Sequence, residues 1–366
     1  MKRILLVSNM YPSKKHPNYG TFVKNSKISL QSIGFVVDAV YVTKSNQYLE
    51  KLFKYLIYYV KIMIKVLSVD YAFIYIHYAS HNAPIIIMLS KLKKLPKIIT
   101  NVHGSDVVPE VKKREKMQPY VKRLLQISYK IVTPSNYFKG YVANKYALDL
   151  EKIVVSASGG IDPNIFFEIS SREKRIFKES LGINEDDFII GYIGRVDYKK
   201  GWDVLLKALN IINKKSFKFK LIFVGDGPEL NNFWEMLENF GFKEHVLYFQ
   251  LMDQKKLRNI YNILNAFIFP TLREGESLGL VGLEAMACGT PVIGSNFAGL
   301  KDYIVDGHNG LFFDVGDFHD LSEKIFEYSK YDLDKIKAMK DYSLITSKHY
   351  LVERINKDMK KLFEED

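Results

Sequence analysis

The chain has 366 residues, 47% hydrophobic and 26% charged, with 53 Lys+Arg against 41 Asp+Glu. Its length exceeds one compact core and suits two domains of ordinary size, and its composition excludes a disordered chain. One cysteine, Cys288, excludes an internal disulfide framework and fits a reducing cytosol.

The opening MKRILLVSNMYP has the basic residues of a signal peptide but too short an apolar run, so a cytoplasmic protein is expected. Strand-like runs then recur: RILLVS, FVVDAVYV, AFIYIH, KIITNV, KIVTP and KIVVS in the first half. DFIIGYIG, FKLIFVG, VLYFQ, AFIFP and PVIGS follow in the second, with helical patterns between. Near-continuous apolar strands alternating with helices predict parallel sheets covered on both faces. The charged EISSREKRIFKESLGINEDD at 168–187 separates the two series. The expectation is therefore α/β: two doubly wound, Rossmann-like parallel-sheet domains, residues 1–167 and 168–345. Ligands are expected at strand C-terminal ends and in the cleft between the domains. Residues 346–366 read as a helix that packs back on the first domain.

In the first domain, NMYPSKKHPNYGTFVKN follows strand one, where such a sheet places a ligand loop. Gly20 stands just before a helix starting near Thr21. The stretch YLEKLFKYLIYYVKIMIKVLSV then sets Lys51, Lys54, Tyr58, Lys61 and Lys65 at spacings of three and four. They form one Lys/Tyr stripe on a helix whose other positions are largely apolar. Residues 1–165 hold 25 Lys+Arg and 9 Asp+Glu, whereas the remainder holds 28 and 32, so the first half faces something anionic. A basic stripe beside aliphatics suits an anionic membrane surface; the alternative is a solvated face over a buried one.

Strand four ends in TNVHGSDV, which sets His103, Ser105 and Asp106 at one rim. His77 and His81 are four apart, but their context is a strand end rather than a helix face. Asp332 and Asp334 read as helix caps, so no metal and no other cofactor is expected. No recognised nucleic-acid motif occurs.

GYIGRVDYKKGWDVLLKAL begins the second domain, with Arg195 and Lys200 bracketing a short loop before a helix. A guanidinium fork and an ammonium together suit a diphosphate, and Gly201 lets the chain turn into the helix. The stretch is neither a Walker loop nor the G-x-G-x-x-G fingerprint, which disfavours a nicotinamide dehydrogenase. VGDGPEL reads as a tight strand-to-helix turn.

PTLREGESLGLVGLEAMACGTPVIGSN, residues 270–296, frames an apolar helix with two glutamates. Glu276 precedes the helix and Glu284 sits about two turns inside, roughly 12 Å further along if all were helical. Carboxylates so separated suit two parts of one elongated ligand; the alternative is a helix-start glutamate plus a solvated one. The amides near Leu278, Gly279 and Leu280 are candidates for holding phosphate.

YGTFV, VHGSD, TPSNY, GGIDPNIF, GRVDYKKG, VGDGPE, ESLGLVGLEAMACGTPVI and DGHNGLFF occur in this order along the whole chain. Together they resemble the retaining glycosyltransferases of family 4, which have the two-domain GT-B fold. The resemblance implies transfer of a hexosyl group from a UDP- or GDP-linked sugar to a glycan or lipid-linked acceptor, in surface polysaccharide or glycolipid synthesis. It implies that Arg195 and Lys200 hold the donor diphosphate and Glu284 the ribose. Glu276 would contact the transferred sugar beside Ser277, Leu278, Gly279 and Leu280. Gly20 would approach the phosphates and His103 would face the sugar, while Tyr19, His77 and Asp106 fall on the acceptor side. The chain departs from the family pattern in three places. Tyr19 precedes Gly20 where a glycine pair is usual, Ser277-Leu278 replaces Gly-Phe, and LYFQLMD lacks a glycine, leaving Leu251 or Met252 beside the base. A sugar-nucleotide epimerase of the same fold and a non-catalytic basic binding protein are the competing readings. A peripheral position at the inner face of the membrane goes with the basic first domain.

Overall fold

The computed structural model describes residues 2–16, 19–45, 47–157, 159–215 and 217–364. They form two compact units, one running to Gly159 and taking in the stretch from Glu353 onward, the other Gly160–Val352.

The first unit begins β1 (Arg3–Ser8), α1 (Thr21–Ser32), β2 (Val36–Tyr41), α2 (Tyr48–Ser68) and β3 (Phe73–His77). It continues α3 (Ala79–Leu92), β4 (Lys97–Asn101), α4 (Lys112–Glu115), α5 (Gln118–Ile127), β5 (Lys130–Thr133), α6 (Asn136–Tyr146) and β6 (Ile153–Val155). The second holds α7 (Ser171–Ser180), β7 (Phe188–Ile193), α8 (Trp202–Lys214), β8 (Phe219–Val224), α9 (Leu230–Phe240) and β9 (Val246–Phe249). After them come α10 (Gln254–Ile263), β10 (Ala266–Phe269), α11 (Leu280–Ala287), β11 (Val292–Ser295), β12 (Gly310–Phe313), α12 (Phe318–Ser329) and α13 (Leu333–Lys348). The chain ends in α14 (Val352–Glu364).

Each unit has one six-stranded sheet, ordered β2-β1-β3-β4-β5-β6 and β12-β11-β10-β7-β8-β9, with parallel pairing throughout. In the first sheet, Leu5 and Val7 of β1 join a core with Tyr58, Ile62, Ile86 and Leu124, while Ile4 and Leu6 are equally buried outside that cluster. Both faces are therefore covered, which is why these strands read as unbroken apolar runs. β12 was not among the strands read from the sequence; GLFF follows directly on the turn-forming DGHN.

Residues 160–167 sit with the second unit rather than before the expected 167/168 boundary. Ile161 donates its N–H to the Tyr350 carbonyl at 2.8 Å and accepts from Val352 at 3.0 Å, tying the two ends of that unit together. Helix α14 completes the first unit. Its fully buried Phe363 packs edge-on against Phe73 and Tyr75, both with centroids 5.2 Å away, and lies 5.7 Å from Phe35.

Helix α2 faces the other way from the sequence expectation. Tyr58, placed there in an outward stripe, is buried with Ile62 and Val66 and donates its hydroxyl to Asn82. Lys54 pairs with Glu50 at 2.7 Å and Lys65 with Asp38 at 3.3 Å along one flank. Leu56, Ile57, Val60 and Ile64, between them in sequence, point outward. No described helix is long and apolar enough to cross a membrane.

Candidate active site

The second sheet reverses its strand order between β7 and β10, and ligands of open parallel sheets gather outside such a switch point. A cavity opens there, lined by Gly194 after β7, Phe269 at the end of β10, Lys200, Glu276, Gly279 and Leu280.

The loop after β7 is held from both sides. Gly194 and Val196 donate backbone N–H groups to Val224 and Asp226, at 3.0 and 3.1 Å. A Cβ at Gly225 or Gly227 would lie 2.1 or 2.2 Å from the carbonyl oxygens of Gly194 or Val196, so VGDG is built for close backbone approach. Gly201 takes φ +75° at the start of α8, and a Cβ there would come within 1.7 Å of the Pro270 carbonyl oxygen. From beneath, the Tyr192 hydroxyl donates to the Arg195 carbonyl at 3.1 Å.

This framework aims Lys200 at Glu276, Nζ to Oε2 at 2.6 Å, and the Thr271 hydroxyl donates to the same oxygen at 3.2 Å. Burial alone would push the Glu276 carboxyl up, but the Lys200 charge and hydrogen bond, with Arg273 and Thr271, outweigh it and hold it below its usual range. Arg195 is mostly exposed and pairs with Asp197 at 3.1 Å.

Helix α11 starts at Leu280, two residues later than the pattern suggested, because Gly279 adopts φ +77° as its N-cap. Among the described residues no side chain caps this start, which leaves the first-turn amides at the cavity end of the helix. Phe269 and Tyr303 press on it: a Cβ at Gly279 would meet the Phe269 ring at 2.3 Å, and one at Gly282 the Tyr303 hydroxyl at 2.3 Å. Leu278 is buried, so only its backbone is available to a ligand. Ser277 is fixed through Gly299, whose absent Cβ would strike the Ser277 carbonyl oxygen at 2.3 Å. Because the helix starts late, Glu284 lies four residues into α11, about 6 Å along its axis rather than two turns in. It accepts the Tyr261 hydroxyl at 3.0 Å, and burial raises its carboxyl to about 7 against that hydrogen bond. Met252 lies between β9 and α10 and does not line the cavity, and neighbouring Leu251 points into solvent.

In the first unit, the expected rim residues gather at the C-terminal edge of β3 and β4. Gly20, φ +75°, starts α1 against the Met10 carbonyl carbon, where a Cβ would lie at 2.7 Å. His77 Nδ1 and His103 Nε2 are 2.9 Å apart, with Phe22 and Tyr78 rings 4.4 and 5.6 Å from His103. Burial lowers both histidines, His103 to about 3, so neither carries charge at neutral pH. Tyr19 sits near Tyr55 and Tyr78, and burial followed by those phenols raises it to about 12.

Two of the rim assignments need correction. Asp106 is fully buried and accepts the Ala79 N–H at 2.8 Å and the His103 N–H at 2.9 Å, so it braces the rim from behind. His77 is equally enclosed and supports His103 rather than presenting a surface to an acceptor. His81 falls in the first turn of α3, not in a strand end. Asp332 caps α13, accepting the Lys335 N–H at 2.7 Å. Among the described residues no group of three or more His, Cys, Asp or Glu side chains is arranged to hold a metal ion.

Paired parallel doubly wound units with an anion-ready loop at the switch point define a GT-B-type architecture. Sucrose-phosphate synthase from Thermosynechococcus elongatus matches with TM-score 0.81 at 19% identity, covering 99% of this chain and 98% of that one. Anabaena HepE in complex with UDP matches with TM-score 0.80 at 16% identity, covering 99% of both chains. The family model "Glycosyl transferases group 1" matches residues 173–343, and "Glycosyl transferase 4-like" matches 23–135. An uncharacterized glycosyltransferase of Methanocaldococcus jannaschii is 29% identical over 69% of this chain and 64% of its own length. The capsular polysaccharide biosynthesis glycosyltransferase CapM of Staphylococcus aureus is 29% identical over 52% of this chain and 55% of its own length. The chain thus spans less than two thirds of these curated relatives. It belongs to the group 1, family 4-like glycosyltransferases of GT-B fold.

Proposed function

We propose that the protein moves a hexosyl group from a UDP- or GDP-linked sugar to a glycan or lipid-linked acceptor, with retention at the anomeric carbon. The observation that carries this reading is the Lys200–Glu276 pair beside the uncapped start of α11, in a cavity at the sheet's switch point. An ammonium and helix amides make an anion site, with the Arg195 guanidinium on the same loop as Lys200, and the carboxylate is placed to accept sugar hydroxyls. Family membership supports the reaction class, and the CapM relative's part in capsular polysaccharide synthesis supports a surface-glycan product.

In this reading Lys200, Arg195 and the amides of Gly279 and Leu280 hold the diphosphate, and Glu284 takes the ribose. As the anomeric C–O bond to the diphosphate breaks, the acceptor oxygen bonds on the same face. Its proton passes to a departing phosphate oxygen. The chain's own contribution is positioning and neutralisation of the charge that develops on the leaving group. Those cations supply that charge, so turnover is expected to survive EDTA. In this reading nucleotide-sugar use goes with a cytoplasmic reaction, at the inner face of the membrane if the acceptor is lipid-linked.

The test is a thermal-shift and turnover screen with UDP- and GDP-sugars, with Arg195→Ala as control. Stabilisation by one nucleotide sugar, lost in Arg195→Ala, and an α-linked product from an α-linked donor support the proposal. No response to any nucleotide, or an epimerised donor without transfer, overturns it.

A further inference from the structure

Among the described residues, nine of the 26 exposed large hydrophobic side chains lie in the 21 residues of α2. Such crowding is not the scattered exposure every surface has. Leu49 is 67% exposed, Phe53 61%, Leu56 60% and Ile64 54%, and Val60 and Leu67 continue the row. Steps of three and four place all six on one side of the helix, opposite the buried Tyr58, Ile62 and Val66. The helix is apolar inward and apolar outward, with its polar residues confined to the flanks.

One flank carries lysines. Lys51 and Lys61 are exposed, and Lys54 and Lys65, each paired with a carboxylate, lie in line with them. At the far end, Lys93 of the adjoining α3 terminus donates to the Val66 carbonyl at 3.4 Å, with Lys91 and Lys94 exposed beside it. We propose that this outward face of α2 docks on an anionic lipid bilayer, its apolar row in the acyl boundary and its lysines at the headgroups.

Charge selects this occupant. Residues 1–165 carry 25 basic and 9 acidic side chains, so two copies meeting through α2 would press like charge together. An anionic leaflet complements the same lysines. No described helix can cross a membrane, and the charged flank keeps α2 in the interfacial plane. The docking is independent of the proposed transfer, because it is read without donor or acceptor.

The experiment is flotation of the full chain with phosphatidylcholine vesicles, with and without phosphatidylglycerol, at low and high salt. Wild type is expected to float only with the phosphatidylglycerol vesicles, less so at high salt. The double variant Phe53→Asp/Leu56→Asp is expected to lose binding by about tenfold or more. Ile345→Asp, an equally outward apolar site in α13, is expected to float like wild type. Both substituted sites are solvent-facing, and unchanged melting curves will show that the fold is kept. A Phe53→Trp variant is expected to shift its emission to the blue on anionic vesicles. No flotation of wild type at low salt overturns the proposal, as does a double variant that floats normally. Dimerisation of wild type that the double variant abolishes also overturns it, by assigning the face to a second copy of this chain.

Discussion

Lys200 Nζ lies 2.6 Å from Glu276 Oε2, joining the loop after β7 to the loop after β10 with side chains only 18% and 13% exposed. Removing one partner strands the other charge in a largely dry site, so Lys200→Ala is expected to cost about 3 kcal/mol. Lys200→Ala/Glu276→Gln should cost less than Lys200→Ala alone, since no lone carboxylate remains. Urea titrations of wild type, Lys200→Ala, Glu276→Gln and the double variant measure the difference, and strict additivity would show that the pair is not coupled. Because Glu276 is held below its usual range, this stabilisation is present above the unfolded carboxylate value and lost as pH falls through the folded one.

Glu284 has the opposite sign. Its carboxyl is raised to about 7, so between the unfolded value and 7 the folded state holds the extra proton. Stability therefore falls as pH rises through that window, by up to roughly 3 kcal/mol in the limit of full burial. Glu284→Gln is expected to flatten the dependence, melting higher than wild type at pH 8 and losing nucleotide-induced stabilisation. A pH–melting series of both proteins decides it; identical slopes would mean that Glu284 is ionised throughout.

Two glycines with the same left-handed φ make a controlled comparison. Gly241 ends α9 with open space around a notional Cβ, so Gly241→Ala should cost only the backbone strain, about 1 kcal/mol. Gly201→Ala adds a collision with the Pro270 carbonyl and is expected to prevent correct packing of the Lys200 loop. Thermal melts rank the two, and equal losses would contradict the packing argument.

His77 Nε2 is buried with no hydrogen-bond partner among the described residues, and an unpartnered N–H costs more than an unpartnered lone pair. His77 is therefore the Nδ1–H tautomer donating to His103 Nε2, which leaves the His103 proton on Nδ1. Nitrogen-15 NMR is expected to find both tautomers, with neither ring protonated at neutral pH. A His77 signal from Nε2–H would reverse the direction of the bond.

Much of this was legible in the sequence, because parallel strands buried on both faces leave unbroken apolar runs and glycine loops mark their C-terminal ends. Gly20 and Gly201 sit at their helix starts as the pattern implied. The beginning of α11 was not legible: LGLVGLEAMA has no polar residue before Glu284, and only the φ of Gly279 reveals where the helix starts. The orientation of α2 was hidden for a related reason. A helix apolar on two sides has no single inward stripe, and Tyr58 joins the core because Asn82 awaits its hydroxyl. Tyr261 and Tyr303 were missed because their partners lie 23 and 24 residues away, and neither sits in a recognisable motif.

Phe363 closes the slot lined by Phe35, Phe73 and Tyr75. During synthesis those three rings leave the ribosome long before their cover, with the whole of the second unit made in between. The first unit is thus begun early and sealed late. Throughout translation it holds an uncovered aromatic surface, a natural handle for chaperones and a point of weakness for any tag or truncation that disturbs α14.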